Sequence, residues 1–283
     1  MNSQLNMHFY LVFLSLVLAW GCPNRRDASG KQDGKETKKK PSSRSKHVEP
    51  DDKKTKGKLP SRPKHVEQDD KNDWPAQLKT SEDLANNLDA ARALNDEYKA
   101  LAASLAKRDK DRNLPKEHTD GTDEQVKKMK IALRSETGHY GNLTKFKEWA
   151  RKGEWKHIIS YHYDWWMFPI NRDSAGQGKK YTVYEKEIKA LKQDKDWLKD
   201  YRLGAILVMQ SWGWDVAKER CYKSLAGGQE HRLHSDRLGK MGNSLILFEQ
   251  WDLHKSLCGY LETVKDKGLS SSYHCYFPNV YKK

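Results

Sequence analysis

The chain has 283 residues and a formal net charge of +14, from 53 lysines and arginines against 39 aspartates and glutamates. Beyond a short run near the start, no segment stays apolar for the roughly 18 residues that indicate a membrane-spanning helix. The basic residues are not interleaved with aromatic ones, so the composition favours diffuse attraction to polyanions over specific nucleic-acid recognition.

The first predicted element is an apolar run, Phe9 to Trp20, of about twelve residues, typical of the hydrophobic part of a signal peptide. Ala19 and Gly21 supply the small residues that signal peptidase requires, which predicts a signal peptide over 1–21 and a secreted, extracellular protein. The alternative is a lipoprotein anchored to a membrane through acylated Cys22. Bulky Trp20 and the lack of lysine or arginine before the run argue against that lipidation.

Residues 22–79 are predicted to form a disordered basic linker. Within it, 23–72 hold 16 basic and 9 acidic residues, a net charge of +7, and no aromatic residue, so burial cannot offset the entropy of ordering. Residues 46–53 return in imperfect form at 64–71. We interpret the repeat as a duplicated solvated linker. The alternative is a weak metal or partner site formed by its histidines and aspartates.

The next pattern predicts a helical hairpin over 80–137. Thr80 is a plausible N-cap, and apolar residues then recur at three- and four-residue steps over about 25 residues. These residues are Leu84, Leu88, Ala91, Leu94, Tyr98, Leu101 and Leu105. Leu114 and Pro115 end this helix, and a shorter one is expected over 123–134. We expect both to pack on the following domain, because two helices alone bury little apolar surface.

Residues 138–283 are predicted to form an all-α domain rich in tryptophan. Eight of the ten tryptophans lie between Trp149 and Trp251, and so many indoles require a core. No clear run of alternating strand residues appears. The periodicity predicts helices at about 143–151, 182–195, 196–210, 240–251 and 253–265.

The cysteines and one sequon suggest covalent modifications. An oxidising compartment permits disulfides, and we favour a bond between Cys258 and Cys275, with buried free thiols as the alternative. Asn142 begins an Asn-Leu-Thr glycosylation sequon.

The motifs that carry reaction chemistry are not matched. The glycine-rich stretch at 175–181 lacks the first glycine and the serine or threonine of a phosphate loop. His231 and His234 lack the partners of a zinc helix, and no nucleophile elbow is present. His157 and His162 stand five residues apart, on different faces of a helix. We therefore expect a protein that is not an enzyme, with no cofactor and no metal.

The most distinctive segment of the sequence is the aromatic one from Tyr163 to Ile170. Pro169 disfavours helix at Phe168, so a helix should end there. Trp165 and Trp166 are adjacent and cannot share one helix face, so one of them is expected near the surface, facing a partner. The alternative is that the whole segment packs in the core.

This segment resembles the conserved domain of the opioid growth factor receptor family. The resemblance spans about residues 143–257, and three blocks carry it. The first comprises Tyr163, Trp166, Met167, Phe168, Pro169 and Ile170. The second comprises Thr182, Tyr184, Glu185, Glu187 and Ile188, followed by a helix closing on Trp212 and Gly213. The third comprises His234, Leu238, Lys240, Met241 and Leu245.

The resemblance implies an α-helical fold and receptor-type binding of a short, opioid-like peptide. The residues expected near that ligand are Tyr163, Trp165, Trp166, Phe168, Glu185 and Glu187. An alternative function is that of an extracellular structural or adhesion protein, which binds polyanions through 23–72.

Overall fold

A computed structural model describes residues 73–91, 96–134, 143–174, 176–231, 235–264, 270–278, 280 and 281. The expected signal peptide, most of the basic linker with Cys22, and the sequon residue Asn142 lie outside these residues.

Helices dominate the described residues. The α-helices are α1 (Trp74–Asn86), α2 (Leu88–Ala91), α3 (Asp96–Asp111), α4 (Thr122–Arg134), α5 (Leu143–Lys152), α6 (Trp155–Ser160), α7 (Glu185–Gln193), α8 (Lys195–Ser211), α9 (Ser235–Leu247) and α10 (Trp251–Val264). A 3₁₀ helix, Ser271–Tyr276, follows. The only strands described are β1 (Trp214–Asp215) and β2 (Arg220–Cys221), an antiparallel pair. The prediction of a mostly helical, tryptophan-rich chain is therefore confirmed.

Helix α8 forms the centre of the core, with 13 of its 17 residues buried. It starts where the Asp194 carboxylate accepts a hydrogen bond of 2.8 Å from the Trp197 amide. Trp197 then stacks on Tyr201, with ring centroids 5.1 Å apart. Because α8 is apolar on nearly all sides, it must be covered all round, and α1, α5, α6 and α10 all pack against it.

Arg202 is a buried arginine on α8 that joins three helices. Its guanidinium donates to the carbonyl oxygens of Leu84 (3.0 Å) and Ala85 (3.1 Å) near the end of α1. It also forms a bidentate pair with Asp252 of α10 at 2.9 and 2.7 Å and a 3.0 Å bond to Gln250. The buried positive charge of Arg202 is therefore paired with a carboxylate, and its guanidinium N–H groups have hydrogen-bond acceptors.

Helix α1 begins six residues before the Thr80 start expected from the sequence. The Asp73 carboxylate caps it, at 3.0 Å from the Ala76 amide, and Pro75 lies in the first turn. Thr80 lies inside the helix, where its hydroxyl donates to the carbonyl of Ala76. The predicted linker boundary at residue 79 is therefore corrected to residue 73.

The region predicted as a hairpin is divided differently. The chain leaves helical geometry at Asn87, so the expected continuous helix is interrupted between α1 and α2. Its helices pack mainly on the tryptophan-rich part, α1 on α5 and α8, and α4 on α7 and α8. Residues from 73 onwards belong to one compact unit, so a domain boundary between 137 and 138 is not observed within the described residues.

No disulfide joins the described cysteines, Cys221, Cys258 and Cys275, to one another. The Cys275 sulfur accepts a 3.2 Å hydrogen bond from Arg108, and the Cys258 sulfur lies 3.8 Å from Nδ1 of His254 one turn before it. The expected Cys258–Cys275 disulfide is therefore not observed in the structure.

Within the described residues, none of the helices has both the length and the apolar composition needed to cross a bilayer.

Candidate functional site

The aromatic segment that carries the family resemblance folds as a turn rather than a helix end. The Met167 amide donates to the Tyr163 carbonyl at 2.9 Å, and beyond Pro169 the Ile170 carbonyl accepts from the Val183 amide at 3.2 Å. The segment thus lies between helix α6 and the loop that leads into α7.

Three of the expected ligand-binding residues of this segment are core residues. Tyr163 and Trp166 are 0% exposed and Phe168 is 1% exposed. Tyr163 and Trp166 both pack on Phe146, at ring distances of 5.9 Å, and Phe168 packs on Tyr201 at 6.1 Å. Burial raises the pKa of the Tyr163 hydroxyl well above its usual value. The expectation of ligand contact is therefore corrected for Tyr163 and Trp166, which lack an accessible surface.

Trp165 faces the other way and is half-buried. Its indole stacks on the His162 ring, with centroids 5.6 Å apart and nearly parallel planes. A methyl group at Gly176 would lie 3.6 Å from the indole, so the loop around Gly176 approaches the ring closely. The His162 ring and the loop around Gly176 thus both lie against the Trp165 indole.

Trp165 is one wall of a small cleft, with free space of about 10 Å³, between the aromatic segment, the following loop and α9. The residues that line it are Asp164, Trp165, Phe168, Ile170, Arg172, Ser174, Gly178, Tyr181, Thr182 and Lys240. Phe168 forms an apolar floor, because its ring is almost completely buried.

An ion pair of Asp164 and Lys240 lies beside the indole. Lys240 Nζ lies 2.9 Å from Asp164 Oδ2 and 5.7 Å from the centre of the Trp165 ring. The guanidinium of Arg237 approaches the other oxygen of Asp164 at 3.9 Å. The cleft therefore presents an aromatic face, a carboxylate and an ammonium group within one small space.

The loop that closes the cleft is stiffened by its own hydrogen bonds. Ser174 and Gly178 exchange two backbone hydrogen bonds, of 2.9 and 2.8 Å. Gly178 has φ of +52°, a left-handed geometry that glycine adopts without a steric penalty. The glycine-rich stretch that lacks two residues of a phosphate loop thus belongs to a tight turn at the rim of the cleft.

The two glutamates expected near the ligand lie at the start of α7, and neither lines the cleft. Glu187 is 0% exposed, and its carboxylate accepts hydrogen bonds from the amides of Tyr184 (2.9 Å) and His118 (3.1 Å). It caps the helix and holds the loop that precedes α4, so its expected role at the ligand is corrected to a structural one. Glu185 is exposed on the first turn.

The histidines considered for chemistry are separated. His162 stacks on Trp165, His157 on Trp149 at 5.4 Å, and His231 bonds the carbonyl of Trp212 at 3.1 Å. His234 lies outside the described residues. Across the parts of the chain that the structure describes, histidine, cysteine and acidic side chains form no group of three able to hold a metal ion.

No protein-family model, curated protein or solved structure matches this chain. The resemblance to the opioid growth factor receptor domain therefore rests on the sequence motifs alone. The motif residues Tyr163, Trp166 and Phe168 are packed in the core, so they bear on the fold more directly than on a ligand.

Asp164 and Lys240 were not singled out as binding residues by the sequence. They are 76 positions apart, and no local pattern relates them. Lys240 could have been noticed through the third block of the resemblance, and Asp164 through its place beside the tryptophan pair.

Proposed function

We propose that this protein is an exported, non-enzymatic receptor-like protein that binds a short peptide at the Trp165 cleft. The observation that carries the proposal is the half-buried indole of Trp165 beside the ion pair of Asp164 and Lys240. Aromatic surface combined with a few placed charges is typical of peptide-binding hot spots.

The size of the cleft limits how a peptide binds. Its free space is about 10 Å³, room for about one water molecule, against the roughly 300–1,000 Å³ of sites that enclose a drug-sized ligand. It is too small to enclose a peptide side chain, so we propose that an aromatic residue of the peptide stacks on the exposed part of Trp165. A terminal amine beside that ring would then compete with Lys240 for Asp164, which fits the opioid-like peptides implied by the resemblance.

Calorimetry of the full chain with Met-enkephalin tests this proposal. We expect saturable heat, and an affinity reduced about thirtyfold by Trp165→Ala, because truncating a hot-spot aromatic costs about 2 kcal/mol. Trp149→Ala is the matched control, since Trp149 is also half-buried and stacked on a histidine but lies away from the cleft. Absence of heat at millimolar peptide, or equal losses in both variants, would contradict the proposal.

A second candidate is that of an extracellular adhesion protein that binds polyanions through residues 23–72. The observation in its favour is the net charge of +7 in that segment.

A further inference from the structure

Three arginines from two parts of the chain that are far apart in sequence lie close together, and one of them, Arg172, also lines the cleft. Arg108 lies in the last turn of α3, Arg112 follows that helix, and Arg172 comes from the loop after the aromatic segment. The guanidinium of Arg108 is 5.1 Å from the centre of the Tyr276 ring, and that of Arg172 is 6.0 Å from it. The Tyr276 ring therefore forms a common platform for the two guanidinium groups.

One carboxylate, Asp109, stands among these cations and forms long ion pairs with two of them. Its Oδ1 lies 3.7 Å from Nη1 of Arg112 and 4.0 Å from Nε of Arg108, both beyond hydrogen-bond distance. Its Oδ2 accepts a 2.6 Å bond from the side-chain amide of Asn171.

Some donors of two of these arginines have no acceptor among the described residues. Nε and Nη2 of Arg172 are buried and make no hydrogen bond to any residue that the structure describes, and Nη1 of Arg112 is in the same position. The pKa of Arg112 is lowered by burial and then by the charges of Arg172 and Arg108. Buried guanidinium groups that repel one another and lack acceptors are unfavourable unless an anion compensates them.

We propose that Arg112 and Arg172, beside Arg108, bind a tetrahedral oxyanion, a phosphate or sulfate group. Such a group places negative charge next to guanidinium groups that repel one another and accepts several hydrogen bonds from the planar forks of arginine. Asn171 keeps the Asp109 carboxylate engaged on its Oδ2 side.

A purely structural role accounts for two of the arginines only. Cations near the end of a helix interact favourably with its carbonyl groups, which applies to Arg108 and Arg112 at the end of α3. Arg172 comes from a loop rather than from α3, and its Nε and Nη2 lack acceptors in the described residues. The two roles therefore differ in what they predict for Arg172.

The test is calorimetry and thermal unfolding of the full chain with sodium phosphate, compared with sodium chloride at equal ionic strength. We expect saturable phosphate binding and a rise in the unfolding midpoint beyond that in chloride. Arg172→Gln and Arg112→Gln should each weaken phosphate binding by at least about tenfold, because each removes charge-assisted hydrogen bonds. The matched control is Arg151→Gln, since Arg151 is exposed in the last turn of α5. It should bind phosphate like the wild type.

Unfolding without phosphate separates the two roles. Arg172→Gln should leave the midpoint unchanged or raise it, since it relieves repulsion between like charges. A lower midpoint together with unchanged phosphate binding would overturn the proposal. Phosphate binding that persists in both variants would also overturn it, because that binding belongs to other basic residues. Inorganic sulfate and methyl phosphate, used as further probes, decide whether the site takes sulfate and whether it admits a phosphate group carried on a larger molecule.

Discussion

Two carboxylates two residues apart at the start of α7 have opposite surroundings. Glu187 is enclosed and accepts hydrogen bonds from two backbone amides, whereas Glu185 projects into solvent. Their spacing on the helix gives no reason to treat them alike, because residues two apart lie on different faces.

Replacement of Glu187 should therefore destabilise the protein. Glu187→Gln loses the charge that strengthens both hydrogen bonds, and we expect the free energy of unfolding to fall by about 2 kcal/mol. Glu185→Gln, its matched control in the same turn, should change that energy by less than about 0.5 kcal/mol. Urea denaturation of the two variants measures the difference. Equal midpoints would show that the Glu187 carboxylate does not hold the turn.

The tryptophan pair shows what the sequence could predict about single residues. Neighbouring positions point in different directions, and Trp166 is indeed buried while Trp165 is half-buried. Which of the two is accessible depends on Phe146, which packs on Trp166 from a separate helix. Such a contact lies beyond the reach of local periodicity.

At the scale of elements, α9 is shaped to receive the C-terminal 3₁₀ helix. Gly239 and Gly242 lie on α9, where a methyl group at either position would overlap the rings of Tyr273 and Phe277 respectively. The Phe277 ring is completely buried and also stacks on His254, at 5.6 Å. The glycines allow these rings to approach the backbone of the helix.

A methyl group on this face should displace the C-terminal segment. We expect Gly242→Ala to lower the free energy of unfolding by about 1–2 kcal/mol, because overpacking outweighs the better helix propensity of alanine. Gly259→Ala on α10 is the control, since its methyl group would lie 3.3 Å from Trp214, a contact that small shifts accommodate. Its unfolding energy should stay within about 0.5 kcal/mol of the wild type. If both variants unfold at the same urea concentration, the close fit of Phe277 on α9 is wrong.

The helices were predicted well where an apolar period is uninterrupted. The expected helix at 143–151 corresponds to Leu143–Lys152, and that at 196–210 to Lys195–Ser211. Short elements were missed. Helix α6 has six residues, too few to show a period, and the 3₁₀ helix depends on its contact with α9.

The start of α1 was missed for another reason. Its signal was present in the sequence, since Asp73 precedes Trp74 and Pro75, an N-cap followed by proline in the first turn. Thr80 is a second N-cap candidate seven residues later, and the sequence pattern alone does not decide between the two. The break at Asn87 has a weaker signal: the Asn87 side chain accepts a 3.2 Å hydrogen bond from the Ala90 amide and caps α2, but leucines continue at helical spacing on both sides.

At the scale of the whole molecule, the basic charge is divided between two regions. Residues 23–72 hold half of the net +14 in fewer than a fifth of the residues. In the described part, many lysines and arginines pair with carboxylates, as Lys147 does with Glu82 and Lys186 with Glu117. The polyanion hypothesis therefore places most of the attraction in 23–72.

Heparin chromatography tests that hypothesis. We expect the full chain to be retained and to elute at a NaCl concentration that drops clearly when 24–72 are deleted, because polyanion binding by basic residues is driven by counterion release. A chain in which those residues are replaced by a glycine-serine linker of equal length controls for length and should behave like the deletion. Unchanged elution of both would refute polyanion binding through this segment.

The bonding of Arg202 has a mechanical consequence. Residue 73 connects the basic segment to α1, and the carbonyls near the end of α1 are held by Arg202, which is clamped to Asp252 on α10. Tension applied to the segment before residue 73 would therefore pass along α1 into the interior, where a bidentate ion pair resists it. If the chain is immobilised through its basic residues, pulling forces reach the folded part through α1. Breaking the contact between Arg202 and Asp252 would leave a buried guanidinium without its carboxylate, which is strongly unfavourable in a protein interior.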